Sequence, residues 1–296
     1  MRLHAWLELK CEDSPKLKVA VACAQDEDVL KAVFAAIHKN WIDAVLVGDK
    51  PKIVNIAQTL NFDLSKVEII DEPDLKNACE QAVKLVSFKQ ADFLMKGLVD
   101  TSILLKAVLN PDFGLRTGKI LSHVALLQTT QMDRFVGITD GAMNIAPDIE
   151  SKKGIIDNAI GLFHNLGYDL PKVAILAAIE KVNPKMSATV DADTLSHLNY
   201  DQALVEGPFG LDNAISIEAA KHKGLTSSMA GLADILMCPD IEAGNILYKA
   251  LSFMADAQVA ALIVGAKCPI VLTSRADSDV SKLYSIALAK IVSAQK

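Results

Sequence analysis

Along the first ~110 residues, short apolar runs alternate with longer segments whose apolar positions recur at helical spacing. The runs LKVAVACA (17–24), DAVLVG (43–48), VEII (67–70) and DFLMKG (92–97) read as strands. Between and after them, DEDVLKAVFAAIHKN (26–40), KPKIVNIAQTL (50–60), residues 72–90 and TSILLKAVLN (101–110) read as helices. Strands joined by helical crossovers pair in parallel, so the pattern predicts βαβ units and a parallel sheet. From 118 to 139 the rhythm changes. GKILSHVALLQ and DRFVGIT are two strand-like runs separated by the polar TTQM, which predicts either a hairpin or a passage between domains. Alternation then resumes. Helices are predicted at 150–167, 191–198, 212–224 and 242–255, and strands at 172–179, 202–207, 233–238 and 260–266. A last strand, PIVLTS (269–274), precedes a closing helix over 277–294.

A chain of 296 residues with this double alternation is expected to form two α/β domains with mainly parallel sheets and a cleft between them. The change of rhythm sets the expected limits at 1–135 plus 267–296 for the first domain and 136–266 for the second. Composition narrows the partners. With 51% hydrophobic and 22% charged residues the chain buries enough apolar surface to fold. A net charge of −6 without a long basic block argues against nucleic acid. The apolar runs at 173–179 and 257–266 fall short of the ~18–20 residues a membrane span needs, and the opening MRLHAWLELKCED lacks the apolar stretch of a secretory signal. The five cysteines, widely spaced and without a C-x-x-C, suit neither a disulfide framework nor a zinc site, so a reducing cytoplasm and no metal are expected.

Dinucleotide-binding, P-loop, nucleophile-elbow and zincin motifs are all absent from the sequence. What remains is polar residues at strand-to-helix junctions, the crevice position of open α/β sheets. In LTSRADS (272–278), Arg275 could grip a phosphate in bidentate fashion beside a helix start, with Ser274 next to any attached acyl group. The plainer reading makes Ser274, Asp277 or Ser278 a helix cap and Arg275 a surface residue. In CPDIEAGNILYKAL (238–251), Asp240, Glu242 and Asn245 surround a helix start where Gly244 permits close approach, or they simply form an acidic N-terminus. Glu206 leads into a Gly-Pro turn, and Asp212 begins the next helix or simply caps it. Asp140 and Asn144 lie in ITDGAMNIAPD (138–148), a segment also readable as an ordinary turn, and Lys96 ends a strand in MKGLVDTS (95–102), either as a phosphate cation or a solvated lysine.

Taken together and in this order, TDGAMNIAPD, VEGPFGLDNAIS, AGLADILMCPDIEAGNILYKAL and IVLTSRADS resemble the phosphate acetyltransferase and phosphate butyryltransferase family. The Thr-Ser-Arg-Ala-Asp-Ser pattern and the Gly-Pro-Phe-Gly after Glu206 are nearer the butyryl branch, the branched-chain phosphotransacylases. The resemblance implies the two-domain fold of isocitrate and isopropylmalate dehydrogenases, a homodimer, and reversible acyl transfer between coenzyme A and inorganic phosphate without a metal or redox cofactor. It assigns Ser274 to the developing oxyanion and Arg275 to phosphate. Lys96, Lys106 or Arg116 would add a second cation, Asp140, Asn144 and Glu206 would belong to the substrate site, and Asp240, Glu242 and Asn245 would shape the opposite wall.

Two departures stand out. The acetyl branch has an acidic residue seven positions after its Ser, where this chain has Ser281, which leaves Asp277, Asp279 or Asp140 as the base. It also has an Arg near Ser252 and Phe253, where apolar volume here would suit a longer acyl chain. Three other readings stay open: phosphate acetyl transfer, a non-catalytic acyl-CoA-binding relative, and a metal- and NAD-dependent decarboxylating dehydrogenase, for which Asp234, Asp240 and Glu242 offer a faint metal triad.

Overall fold

The computed structural model describes residues 1–274 and 277–295. The chain divides into two compact units: His4–Lys119 with the chain from Val259 onward, and Met1–Leu3 with Ile120–Gln258. The first holds α1 (Leu3–Glu12), β1 (Leu17–Ala22), α2 (Glu27–His38), β2 (Ile42–Gly48), α3 (Lys50–Thr59), β3 (Glu68–Asp71), α4 (Leu75–Ser87), β4 (Phe93–Lys96) and α5 (Thr101–Val108). After the other unit it resumes with β10 (Gln258–Val264), β11 (Ile270–Val271) and α11 (Asp279–Ala294). The second holds β5 (Ser122–Gln128), β6 (Val136–Thr139), α6 (Ile149–Asn165), β7 (Lys172–Leu176), α7 (Ser187–Ser196), β8 (Leu204–Phe209), α8 (Leu211–Ile215), α9 (Ile217–His222), β9 (Ile235–Met237) and α10 (Ile241–Met254).

In the first unit the strands lie in the order β3-β2-β1-β4-β11-β10, all parallel except the antiparallel pair β10–β11. Both faces of such a sheet are covered by helices, so its strands are apolar throughout: Val19, Ala20, Val21 and Ala22 of β1 are completely buried. The junctions share a device. Asp26, Asp49 and Asp74 each precede a helix, and each side chain accepts the N–H three residues on, at 2.9, 3.1 and 2.8 Å. A carboxylate there satisfies an otherwise orphaned donor and meets the positive end of the helix dipole.

The second unit runs β5-β6-β9-β7-β8. Here β5 and β6 pair antiparallel, so the 118–139 segment is a hairpin, and the remaining pairs are parallel. The unit limits differ from those expected at 135/136 and 266/267. Pairing is the cause: β5 stays with β6, and β10 stays with β11.

Three further differences are local. The amphipathic α1 was not anticipated; it is held by buried Lys290, whose ammonium donates to Cys11 O at 2.5 Å and to Ser14 O at 3.0 Å. The helix expected over 212–224 is broken at Ser216, which adopts extended backbone and caps α9 by accepting Ala219 N–H at 3.2 Å. Of PIVLTS only Ile270 and Val271 join the ladder. Among the described residues, no helix is long and apolar enough to cross a membrane.

Gly97 marks where β4 turns away beside β1. A Cβ there would lie 2.2 Å from Cys23 O and 2.7 Å from Ala22 O, so an alanine must push two backbones apart. Gly161, on α6, has nothing within 4 Å of the same position. Gly97→Ala is therefore expected to lower the free energy of urea unfolding by about 2–3 kcal/mol, and Gly161→Ala to raise it by about 0.5–1 kcal/mol. Denaturation curves followed by circular dichroism check both signs; equal effects would refute the packing argument.

Candidate active site

In the first unit β1, β4 and β11 end side by side. Ala22 is level with Lys96, and Val271 with Met95. The order of strands reverses around β1, which makes this C-terminal edge the topological switch point where open α/β sheets bind ligands. Lys96 ends β4 and is buried, so it is not a solvated surface lysine. Its ammonium donates to Gly97 O and to Val99 O, each at 3.2 Å. The turn itself is pinned to β1, with Gly97 N–H on Ala22 O and Leu98 N–H on Cys23 O, both 2.8 Å. A cation is thus fixed at the strand edge.

Beyond β11, Ser274 is exposed and Asp277 buried. They hold each other reciprocally: Ser274 N–H donates to Asp277 Oδ2 at 2.7 Å, and Asp277 N–H to Ser274 O at 3.2 Å. Arg275 lies outside the described residues. The cap of α11 is Ser278, which accepts Ser281 N–H at 3.1 Å. Asp279, in the first turn of α11, accepts the N–H of Val280 at 2.8 Å, and Ser281 Oγ meets Ser278 Oγ at 3.1 Å. Sequence reasoning missed Lys282, a buried lysine whose ammonium donates to Asp277 O. The available signal was its place on the inward stripe of α11 with Ser285, Ile286 and Ala289, at i, i+3, i+4 and i+7.

Two proposed cations lie elsewhere. Lys106 is exposed, five residues along α5 from its start and so ~7.5 Å down the helix away from the strand edge. Arg116 is exposed at the opposite edge of the sheet. Its neighbour Leu115 donates to Val108 O at 2.7 Å and accepts Lys267 N–H at 2.8 Å, and Lys267 sits in the turn before β11 begins.

In the second unit β6 and β9 run parallel, with Thr139 level with Met237 and Cys238 N–H on Thr139 O at 2.7 Å. The segments after them therefore meet. Asp140 is buried, with Oδ1 accepting Ala142 N–H and Met143 N–H at 2.8 and 2.9 Å, and Oδ2 accepting Asn144 Nδ2 at 2.6 Å. Asn144 Nδ2 also reaches Leu121 O at 2.9 Å. Asp240 caps α10 through Ala243 N–H at 2.8 Å, and Asn245 Nδ2 donates to Gly141 O at 2.9 Å. Gly244 lies against this loop so closely that a Cβ would stand 2.3 Å from Asp140 O. Asp140, Asn144, Asp240 and Asn245 thus form one cross-braced cluster. Glu242 is exposed on its rim. Cys238, beneath it, is pushed up to about 12 by burial, with Asp240 and Asp140 adding to the rise, so it stays a thiol.

Glu206 is not brought to the cluster. It lies within β8, level with Ala174 and through it with Leu236 and Ile138. Three strand spacings, ~14 Å, separate it from β6. Asp212, in the helix after it, ion-pairs with Lys223 at 3.1 Å and does not cap.

The dehydrogenase triad does not assemble. Asp234 precedes β9, with its carboxylate on Lys172 N–H at 2.9 Å, while Asp240 and Glu242 follow that strand's far end. Among the described residues, no group of three or more His, Cys, Asp or Glu side chains is placed to hold a metal. Nor does Phe253 widen an acyl site near the cluster, because it is exposed twelve residues along α10, ~18 Å from its start.

What the two strand edges offer is a buried cation and a braced serine loop in one unit, and a cross-braced acid and amide cluster in the other. Residues 74–290 match the family described as phosphate acetyl/butaryl transferase. The chain is 49% identical over 290 residues to a phosphate butyryltransferase of Clostridium beijerinckii, covering 97% of this chain and 96% of that one. It is 45% identical over 278 residues to a phosphate acetyltransferase of Thermotoga maritima, covering 93% and 94%. The crystal structure of a branched-chain phosphotransacylase from Enterococcus faecalis V583 superposes with a TM-score of 0.83 at 35% identity, covering 93% of this chain and 99% of that one. A likeness that runs through nearly the whole of both partners each time carries the strand-edge segments with it, and the chain belongs to the phosphate acetyl/butaryl transferase family of acyltransferases.

Proposed function

We propose that this acyltransferase moves a butyryl or short branched-chain acyl group between coenzyme A and inorganic phosphate, butanoyl-CoA + phosphate giving butanoyl phosphate + CoA. The observation that carries the reading is the strand edge of the first unit, where Lys96 is held buried beside the turn and Ser274 is locked by Asp277. In the direction of thioester synthesis the coenzyme A thiol, with a pKa near ~8.5 as for a free thiol, loses its proton and attacks the acyl phosphate carbonyl within a ternary complex. Negative charge builds on the carbonyl oxygen and phosphate departs as an anion.

Donors and cations fixed before the reaction stabilise those charges without reorganising. Ser274 is assigned to the oxyanion. Lys96, the start of α11 and Arg275 are assigned to phosphate, the last on the resemblance alone. Asp277 is assigned to positioning Ser274, since one carboxylate oxygen is already committed to the Ser274 N–H. The cluster around Asp140 and Asn245 is assigned a substrate-binding role. In this scheme coenzyme A is a substrate, and no step calls on a metal or redox cofactor.

A homodimer and a cytoplasmic location belong to the same proposal. Ile246, Phe253 and Met254 leave apolar surface exposed on α10, which a second copy would cover, and none of the five cysteines is in a disulfide. The chain is expected in the soluble fraction of cell extract, with a light-scattering mass about twice 31.8 kDa; a monomeric mass refutes the dimer.

Ser274→Ala is expected to lower kcat about 10²-fold with the KM for butyryl-CoA little changed, as for loss of one oxyanion donor. Asp277→Asn is expected to lower kcat while leaving the pH profile in place. Loss of the acidic limb in that variant would instead make Asp277 the base. Exchange of labelled phosphate into butyryl phosphate without coenzyme A should be undetectable, and rapid exchange would replace direct attack by an acyl-enzyme.

Acyl preference is read from phosphate-dependent thiol release across acetyl-, propionyl-, butyryl- and isobutyryl-CoA, in the presence and absence of EDTA. Butyryl and isobutyryl substrates are expected to lead, each methylene being worth ~1–3 kcal/mol, with EDTA without effect. A lead by acetyl-CoA would move the chain to the acetyl branch.

A further inference from the structure

Directly beneath the Lys96 turn lies a feature with no part in acyl transfer. Cys23 and Cys79 are both fully buried, with their sulfurs 3.9 Å apart. Cys23 immediately follows β1, with φ +55°, a left-handed conformation that non-glycine residues seldom adopt. Its carbonyl accepts Leu98 N–H, in the turn whose Gly97 and Val99 carbonyls hold Lys96. Cys79 lies on the buried face of α4. The remaining cysteines, Cys11, Cys238 and Cys268, are buried and carry no disulfide.

We propose that Cys23 and Cys79 form a reversible disulfide under peroxide, and that this bond switches the first unit's strand edge off. The second half of the claim rests on the acyl-transfer reading; the first does not. The sulfurs are already in van der Waals contact and need close only to ~2.05 Å. That displacement draws the end of β1 toward α4 and with it the Leu98 turn that fixes Lys96.

The two thiols differ in a way that sets the order of events. The hydrogen bond from Cys79 and the nearby Lys96 ammonium favour the thiolate at Cys23, while that same hydrogen bond, burial and the Cys23 charge keep Cys79 protonated. Cys23 thiolate attacks one oxygen of hydrogen peroxide, the O–O bond breaks, and the departing hydroxide takes up a proton as water. Cys23 is then a sulfenic acid. Cys79 sulfur attacks it, the S–O bond breaks, and the leaving hydroxide carries off the Cys79 proton as a second water. Two thiols have lost two electrons to one peroxide, and a dithiol such as dithiothreitol reverses the step by exchange.

The test uses the full chain. After stoichiometric hydrogen peroxide and alkylation of the remaining thiols, peptide mass spectrometry is expected to show the peptides of Cys23 and Cys79 joined and lighter by two hydrogen atoms, with Cys11, Cys238 and Cys268 alkylated. Turnover of butyryl-CoA with phosphate should fall about tenfold or more, as for displacement of a positioning group, and return with dithiothreitol. Cys79→Ala should keep its activity after the same treatment and yield a dimedone adduct at Cys23. Five alkylated cysteines in the treated wild type would overturn the disulfide. A complete Cys23–Cys79 bond with unchanged turnover would overturn the switch. Absence of acyl transfer before oxidation would count against the proposed reaction only, because the cross-link is read by mass.

Discussion

The close approach of β4 to the end of β1 is the constraint on which the first unit's strand edge depends. Without a side chain, Gly97 lets the turn rest on the carbonyls of Ala22 and Cys23, and its own N–H completes the contact with Ala22 O. The turn then offers two inward carbonyls, those of Gly97 and Val99, and these are what the Lys96 ammonium meets. A lysine at the end of a fully buried strand would otherwise lose its hydration with little in return. Fixing the cation therefore depends on fixing the turn, and fixing the turn depends on a backbone contact only glycine permits. The left-handed Cys23 belongs to the same arrangement, since its carbonyl holds Leu98.

Most strands and helices were legible because both faces of a parallel sheet are buried, so runs such as LKVAVA, IDAVLVG and SHVALLQ contrast sharply with the polar junctions around them. Failures came where another force decided. α1 is short, with only Leu3, Leu7 and Cys11 on its buried stripe, and its end is secured by Lys290 on the carbonyls of Cys11 and Ser14, a tertiary contact with no local signature. Ser216 breaks a pattern that continues smoothly through it, because its hydroxyl caps the next helix. The unit limits followed pairing partners, and pairing of β10 with β11 or β5 with β6 is not written in either segment alone.

The site was legible in a different sense. Strand-end position can be read from the pattern, and it drew attention to Lys96, Ser274, Asp277, Asp140 and Asp240, which do lie at or just beyond strand ends. Which way along an element a residue lies relative to the edge, and what its polar atoms already hold, cannot be read. Lys106 and Arg116 share a charge with Lys96 but lie down a helix or at the opposite edge. Glu206 shares a charge with Asp140 but is separated from it by intervening strands. Lys282 went unmarked because a lysine on an apolar stripe has no local signature to show that its stem runs inward to Asp277 O.

The carboxylates carry the last step of the argument. A chain with 36 acidic residues offers many apparent bases, yet the backbone commits most of those at the strand edges. Asp26, Asp49, Asp74, Asp148 and Asp240 cap helices, Asp140 takes three donors, and Asp277 takes the Ser274 N–H. A carboxylate whose lone pairs hold backbone donors gives up those bonds if it takes a proton, so it is better suited to holding a loop than to relaying protons. Acyl transfer from an acyl phosphate places little demand on a base, because the thiol is only about 1.5 pKa units from neutrality, whereas the two oxyanions formed must be met where they appear. An edge that spends its acids on bracing and keeps its buried cation aligned fits that balance of demands.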